Sequence, residues 1–341
     1  MSALSKSKIL AYRQCLRRLW LEVNQPDACA DSSETAARFR HGHLVGEQAR
    51  RIYDPKNRGT LIDIEALGIQ GALERTQELL AERRPIFEAG FTTGGALAFG
   101  DVLRPVGRGD RRLWRLLEVK SSTSVKDYQR DDAAIQSWIA RQAGLPLAGI
   151  SVAYIDNTWT YAGDDDYNGL LKTEDLTAEA RARRAEVKGW IASARKMLKR
   201  KKEPAIRPGC HCTKPYDCGF IEHCRRQAPQ AQHPVEWLPN MRTNALKAYI
   251  ADEGVTDMSQ VPDKLLNKRQ QRVKQCTLDG KRYFDRKGAK ADLAPHELPA
   301  IFLDFETVNP AVPIWTGTRP YEKVPFQFSR HRLDAQGHLT H

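Results

Sequence analysis

Three apolar-rich runs follow one another between Ile86 and Lys120, and they restrict the fold more than any other stretch of the chain. Ile86-Phe87-Glu88-Ala89-Gly90-Phe91, Leu97 to Arg104 and Leu113 to Lys120 are separated by Gly94-Gly95 and by Gly107-Arg108-Gly109-Asp110. Short alternating runs punctuated by glycine turns predict an antiparallel meander. Helical spacings surround it, over Ser5–Val23 with Cys15 on the helix, Phe39–Tyr53, Ala72–Arg83, Asp131–Ala143 and Thr177–Lys202. Gly42 and Gly46 lie four apart on one helix, which predicts close packing or a nearby ligand there. Ile150–Ile155 and Thr158–Ala162 read as a hairpin turning at Asp156-Asn157. Helices, sheet, helix and further strands in this order place the chain in the α/β or α+β class.

At 341 residues the chain exceeds one ordinary core, so two units, or one unit with an appendage, are expected. The 54 Lys and Arg exceed the 42 Asp and Glu, and a formal charge of +12 favours a polyanionic partner, nucleic acid first. No run reaches the ~18 apolar residues of a membrane span, and no apolar signal core follows the basic N-terminus, so a cytoplasmic protein is expected. Seven cysteines, several of them clustered, point to a metal or cluster rather than a disulfide framework.

The chemistry concentrates in Leu116-Leu117-Glu118-Val119-Lys120-Ser121-Ser122. Strand alternation puts Glu118 and Lys120 on one face, with Leu117 and Val119 on the other. The preceding turn brings Asp101, from Phe99-Gly100-Asp101-Val102-Leu103, alongside Glu118. Two converging carboxylates suit Mg2+ or Mn2+, with the Val119 backbone carbonyl as a further oxygen ligand. Such an ion activates water and neutralises charge on a phosphoryl group, while Lys120 orients the nucleophile or shares that charge. Glu88 is a further acid, for which an exposed sheet position is the simpler expectation. The following helix presents Asp132 and then Gln136.

This order of acid, hairpin, Glu-x-Lys and helical Gln resembles the PD-(D/E)XK nucleases, in particular their RecB-like branch. The resemblance implies a restriction-endonuclease-like core in which Asp101, Glu118 and Lys120 cut a phosphodiester and Gln136 packs against the metal site. In Gly42-His43-Leu44-Val45-Gly46-Glu47, Gly46 stands where such enzymes carry a His, and His43 and Glu47 do not fit that spacing.

Cys212, Cys218 and Cys224 are spaced by five residues twice, unlike zinc ribbons or ferredoxins. With Cys15 they resemble the iron–sulfur RecB-like nucleases, which implies a [4Fe-4S] cluster on Cys15, Cys212, Cys218 and Cys224 that staples the two ends of the nuclease domain. Cys210, His211 and His223 are alternates, zinc is the competing metal, and Cys29 and Cys276 are expected to be ordinary thiols. Near the C-terminus, Ala300 to Thr307 carries Asp304 and Glu306 on one strand face, similar to the first motif of DnaQ-like 3′–5′ exonucleases. That resemblance implies the opening of a truncated RNase H-like domain, unable to catalyse by itself.

The expected organisation is a nuclease domain over 1–228, a helical linker over 229–297 and the DnaQ-like fragment over 298–341. The linker is either helix-hairpin-helix-like around Gly254-Val255 or a plain basic helical connection. The expected activity is metal-dependent hydrolysis of DNA, acting as an exonuclease on single-stranded or free ends. The alternative is an inactive nucleic-acid-binding module that keeps the fold and an Fe–S or zinc site.

Overall fold

The computed structural model describes residues 4–30, 33–107, 113–228 and 231–341, without the side chains of 33–39. Most of the expected turn at Gly107–Asp110 lies outside the described residues. The fold is α/β with a mixed sheet. By internal contacts the chain forms two compact units, one of Met1–Ile206, Cys210–Ile221 and Thr307–Val324, the other of Arg207–Gly209, Glu222–Glu306 and Pro325–His341.

The first unit opens with β1 (Leu4–Ser5), α1 (Lys6–Gln14), α2 (Leu16–Asn24) and α3 (Ser33–Tyr53). The periodicity over Ser5–Val23 predicts one helix, but Cys15 adopts φ −163° and ψ 129° and splits it. Ser5 caps α1 by accepting the Lys8 N–H. After β2 (Thr60–Leu61) comes α4 (Ile64–Leu80), which starts earlier than predicted because Asp63 caps it through the Ala66 N–H. Gly68 kinks it at φ 66°. Among the described residues, an added Cβ at Gly42 or Gly46 would meet nothing within 4 Å, so close packing against them does not explain that pair.

The meander follows as predicted, with β3 (Ile86–Thr93), β4 (Ala96–Val106) and β5 (Leu113–Lys120) in antiparallel register. Then α5 (Asp127–Gln142) crosses over to β6 (Leu147–Ile155), which runs parallel to β5. Among the described residues the sheet order is β2-β3-β4-β5-β6-β7, with β1 also pairing β4. Because β3 holds one edge of β4 from Ala96 to Leu103, β1 at Ala96–Leu97 and β5 at Val102–Val106 share the other edge. The N-terminus is thereby drawn to the sheet beside the end of β5.

The predicted hairpin partner of β6 is wrong. β7 (Leu171–Asp175) pairs it instead. Thr158–Ala162 is a loop because the Tyr161 N–H donates to the Thr318 carbonyl, its own carbonyl accepts from Gly317, and its ring stacks on Tyr167 at 4.9 Å. Ala311 and Val312 complete a core there with Val45, Ile155, Tyr161, Tyr167 and Leu170. The single helix predicted over Thr177–Lys202 is two, α6 (Thr177–Ala182) and α7 (Arg184–Leu198), and Lys199–Lys202 follow the helix rather than ending it.

In the second unit α8 (Ile221–Gln227), α9 (Asn244–Asp252), α10 (Lys268–Leu278) and α11 (Arg286–Leu293) lead to a three-stranded sheet of β8 (Ala300–Val308), β9 (Val324–Leu333) and β10 (Leu339–Thr340). Within the expected helical linker, α10 is capped by Asn267 through the Gln270 N–H, and α11 follows it. A small core of Val235, Leu238, Leu246, Val255, Met258, Val261 and Leu266 holds this unit. No helix among the described residues is long and apolar enough to cross a membrane.

Candidate active site

The ladder between β4 and β5 stops at Val102 and Leu117, one pair short of Asp101 and Glu118. Freed there, the Val119 N–H donates to Asp101 Oδ2 at 2.6 Å instead of to backbone. A strand residue's N–H and C=O leave on the same edge, so the Val119 carbonyl, expected as a ligand, points to the edge that carries Asp101. Glu118 is 2% exposed. Its Oε1 accepts Lys120 Nζ at 2.6 Å and Lys6 Nζ at 2.8 Å, and its Oε2 accepts the Gln136 amide.

One turn before Gln136 on α5, Asp132 faces the same cluster. It accepts Lys120 Nζ at 2.7 Å and lies 3.3 Å from both Lys6 Nζ and the Gln136 amide. The structure thus brings together all four residues expected to catalyse, Asp101, Glu118, Lys120 and Gln136. It adds two that the sequence reading did not assign. Asp132 is legible in principle, being four residues before Gln136 on one helix face. Lys6 carries no local signal, since it meets Glu118 across 112 residues.

Glu88 departs from the exposed position expected of it. It is half-buried, stands in the register opposite Asp101, and has φ 59° within β3. A positive φ at a non-glycine strand residue is costly and marks a locally constrained site. Burial and, next, Glu118 push its carboxyl up, with Lys6, Arg50 and His43 opposing. His43 is therefore within electrostatic reach of the acids although its spacing differs from the expected His.

Charge decides the character of the cluster. Burial first, then Glu118, push Asp101 up to about 8, and Lys6 and Lys120 offset only part of this. Burial also works against the charge of Asp132, but Lys120 and Lys6 more than reverse it and hold this carboxyl well below its usual range. For both lysines burial is again outweighed, by Asp132 and Glu118, so each is a firm ammonium. Lys120 thus brings positive charge into the cluster. Four carboxyl groups, of Glu88, Asp101, Glu118 and Asp132, face two ammonium groups.

That imbalance fits a divalent cation on oxygen ligands, which would let Asp101 ionise beside Glu118. The Gln136 side-chain oxygen, buried and without a hydrogen-bond partner among the described residues, is a second feature that fits such a group. The acids are turned onto lysines as they stand, and among the described residues no group of three His, Cys, Asp or Glu forms a ready metal cage.

The thiols gather at the other end of α1. Cys212 and Cys218 are buried, and the Cys218 N–H donates to the Cys212 carbonyl at 2.8 Å. Burial pushes the Cys218 thiol up against the opposing Phe220 backbone and Arg18, with small additions from the neighbouring Cys212 and Cys15. Gln14, beside Cys15, donates to the His211 and Tyr216 carbonyls, each at 2.8 Å. Cys224 is buried on α8 in the second unit, while Cys210 is exposed. Cys29 lies against Gly219, where an added Cβ would come within 2.4 Å of its sulfur. Asp304 and Glu306 are both exposed on β8 of the second unit, and Asp304 accepts the Phe305 N–H.

A family model described as a domain of unknown function, DUF2779, matches residues 301–341. No curated protein matches the chain. The matched segment contains Asp304 and Glu306 but none of the residues of the carboxylate and lysine cluster.

Proposed function

We propose that the chain is a Mg2+- or Mn2+-dependent deoxyribonuclease of the RecB-like PD-(D/E)XK type, hydrolysing phosphodiesters at single-stranded or free DNA ends. The observation that carries this reading is the convergence of Asp101, Glu118 and Lys120 from adjacent strands, backed by Gln136 from the crossover helix. Asp101, Glu118 and the Val119 carbonyl would hold the ion, which when bound supplies an activated water and neutralises phosphoryl charge. Lys120, fixed between Glu118 and Asp132, presents its ammonium to the reacting phosphate. Gln136 turns one amide hydrogen to Glu118 and leaves its oxygen free to accept from water or substrate. The formal charge of +12 suits a polyanion. Asp304 and Glu306 take no part in this site.

Cys15, Cys212, Cys218 and Cys224 would hold a [4Fe-4S] cluster. The neighbourhood of Cys15, Cys212 and the buried Cys218 supports a metal group on these three, and Cys224 is added by the resemblance alone. A brown colour with absorbance near ~400 nm in anaerobically purified protein is expected; colourless protein carrying zinc would refute the cluster. For hydrolysis, labelled single- and double-stranded DNA is incubated with Mg2+ or Mn2+ beside Asp101→Ala and Lys120→Ala. Cutting is expected only from the unsubstituted chain, and cutting that survives both changes would exclude this site. A second reading, DNA binding without hydrolysis, is favoured by the engagement of both Glu118 oxygens by Lys6, Lys120 and Gln136. Retention of DNA by the protein with no cleavage under either metal would select it.

A further inference from the structure

One nine-residue helix has the two candidate centres at its two ends. At the first residue of α1, Lys6 Nζ lies 2.8 Å from Glu118 Oε1 and 3.3 Å from Asp132 Oδ1. Directly after the last residue, Cys15 leaves the helix in an extended conformation beside the Cys212 and Cys218 thiols. The helix between is short, about 13 Å at 1.5 Å per residue, and firmly seated. Ile9 and Ala11 are fully buried, Ser5 caps the start, Arg13 pairs with Asp131 at 3.2 Å, and Gln14 clamps the end to the carbonyls of His211 and Tyr216. β1 fixes the other end through the Leu4 N–H on the Gly95 carbonyl at 3.0 Å. A displacement at the thiols therefore has a rigid route to the ammonium that touches Glu118.

We infer that Lys6 is a positioning residue of the acid centre and that α1 couples its placement to the Cys15 thiol region, so that disturbing the thiols changes how strongly the acids bind a divalent cation. The inference rests on the proposed cation site. Lys6 contributes a positive charge where the cation charge must be accommodated, and it occupies a lone pair of Glu118. Holding Lys6 in place weakens cation binding; releasing it strengthens binding.

Mn2+ binding to the full chain, measured by calorimetry, tests this without relying on activity. Lys6→Met is expected to tighten Mn2+ binding about tenfold, whereas Lys6→Arg, which keeps the charge, leaves it near the unsubstituted value. Cys15→Ser is expected to tighten it about threefold, and to change nothing further when combined with Lys6→Met, the non-additivity that marks two residues acting through one element. Should Cys15→Ser fail to fold, Gln14→Leu removes the two clamping hydrogen bonds without touching a thiol and is expected to behave in the same way. Binding that responds additively, or not at all, to the paired substitutions overturns the coupling while leaving the cation site standing. An unsubstituted chain that binds no Mn2+ overturns the hydrolase reading and this inference together.

Discussion

Replacing Asp101 by Asn removes one of the proposed ion ligands, and the same change is expected to make the metal-free protein more stable. Asp101 is partly exposed, accepts the Val119 N–H, and is pushed up to about 8 by burial and by Glu118. In the unfolded chain an Asp titrates near ~3.9. Below that pH both states carry the proton, and the group's contribution to stability is fully present. As pH rises toward about 8 the unfolded chain releases a proton that the folded chain keeps, so this contribution is progressively lost.

Four units of separation correspond to roughly 5 to 6 kcal/mol at about 1.4 kcal/mol per unit. Water reaching the partly exposed carboxyl brings the expected loss to about 2 to 3 kcal/mol. An amide in the same place still accepts the Val119 N–H and does not titrate. Urea denaturation in the presence of a chelator is therefore expected to show the two proteins nearly equal near about pH 4, with the Asn variant ahead by about 2 to 3 kcal/mol near about pH 9. Mn2+ at about 1,000 times Kd reverses the order, because only the unsubstituted chain gains that binding energy, about 4.1 kcal/mol. A difference that does not widen with pH would refute this account of the cluster's charge.

Asp132→Asn takes a carboxylate from a buried network and leaves Lys120 and Lys6 short of a partner; unfolding free energy in urea near neutral pH is expected to fall by about 3 kcal/mol. Gly100→Ala would place a methyl 2.3 Å from the Leu116 side chain between β4 and β5, and thermal denaturation should register a loss of about 1 to 3 kcal/mol. Tyr321→Phe removes the hydroxyl that donates to the Ser121 carbonyl just beyond Lys120; a loss of about 1 kcal/mol is expected, read by the same denaturation.

The meander and its acids were legible because they depend on short-range regularities. Alternation puts Glu118 and Lys120 on one face wherever β5 pairs, and glycine turns keep β3 and β4 adjacent. Prediction failed where a distant segment intervened. Cys15 interrupts a good helical pattern because the chain there turns beside Cys212 and Cys218, and Thr158–Ala162 is claimed by Gly317 and Thr318 before it can pair with β6. Glu88 was undervalued for the same reason, since nothing in Phe87-Glu88-Ala89 shows that the residue faces Asp101 across a constrained backbone.

By itself, the sequence determined that β3, β4 and β5 follow one another as a meander, that two acids and an ammonium meet on adjacent strands, and that a helical Gln follows them. Tertiary structure alone decided the charge state of that meeting. Burial and Glu118 push the Asp101 carboxyl up, while Lys120 and Lys6 hold Asp132 low, and Lys6 and Asp132 enter this arrangement from two helices. Periodicity is a property of neighbours along a chain. Electrostatic energy depends on distance and burial in space, which only the folded packing of β1 and α1 against the sheet supplies.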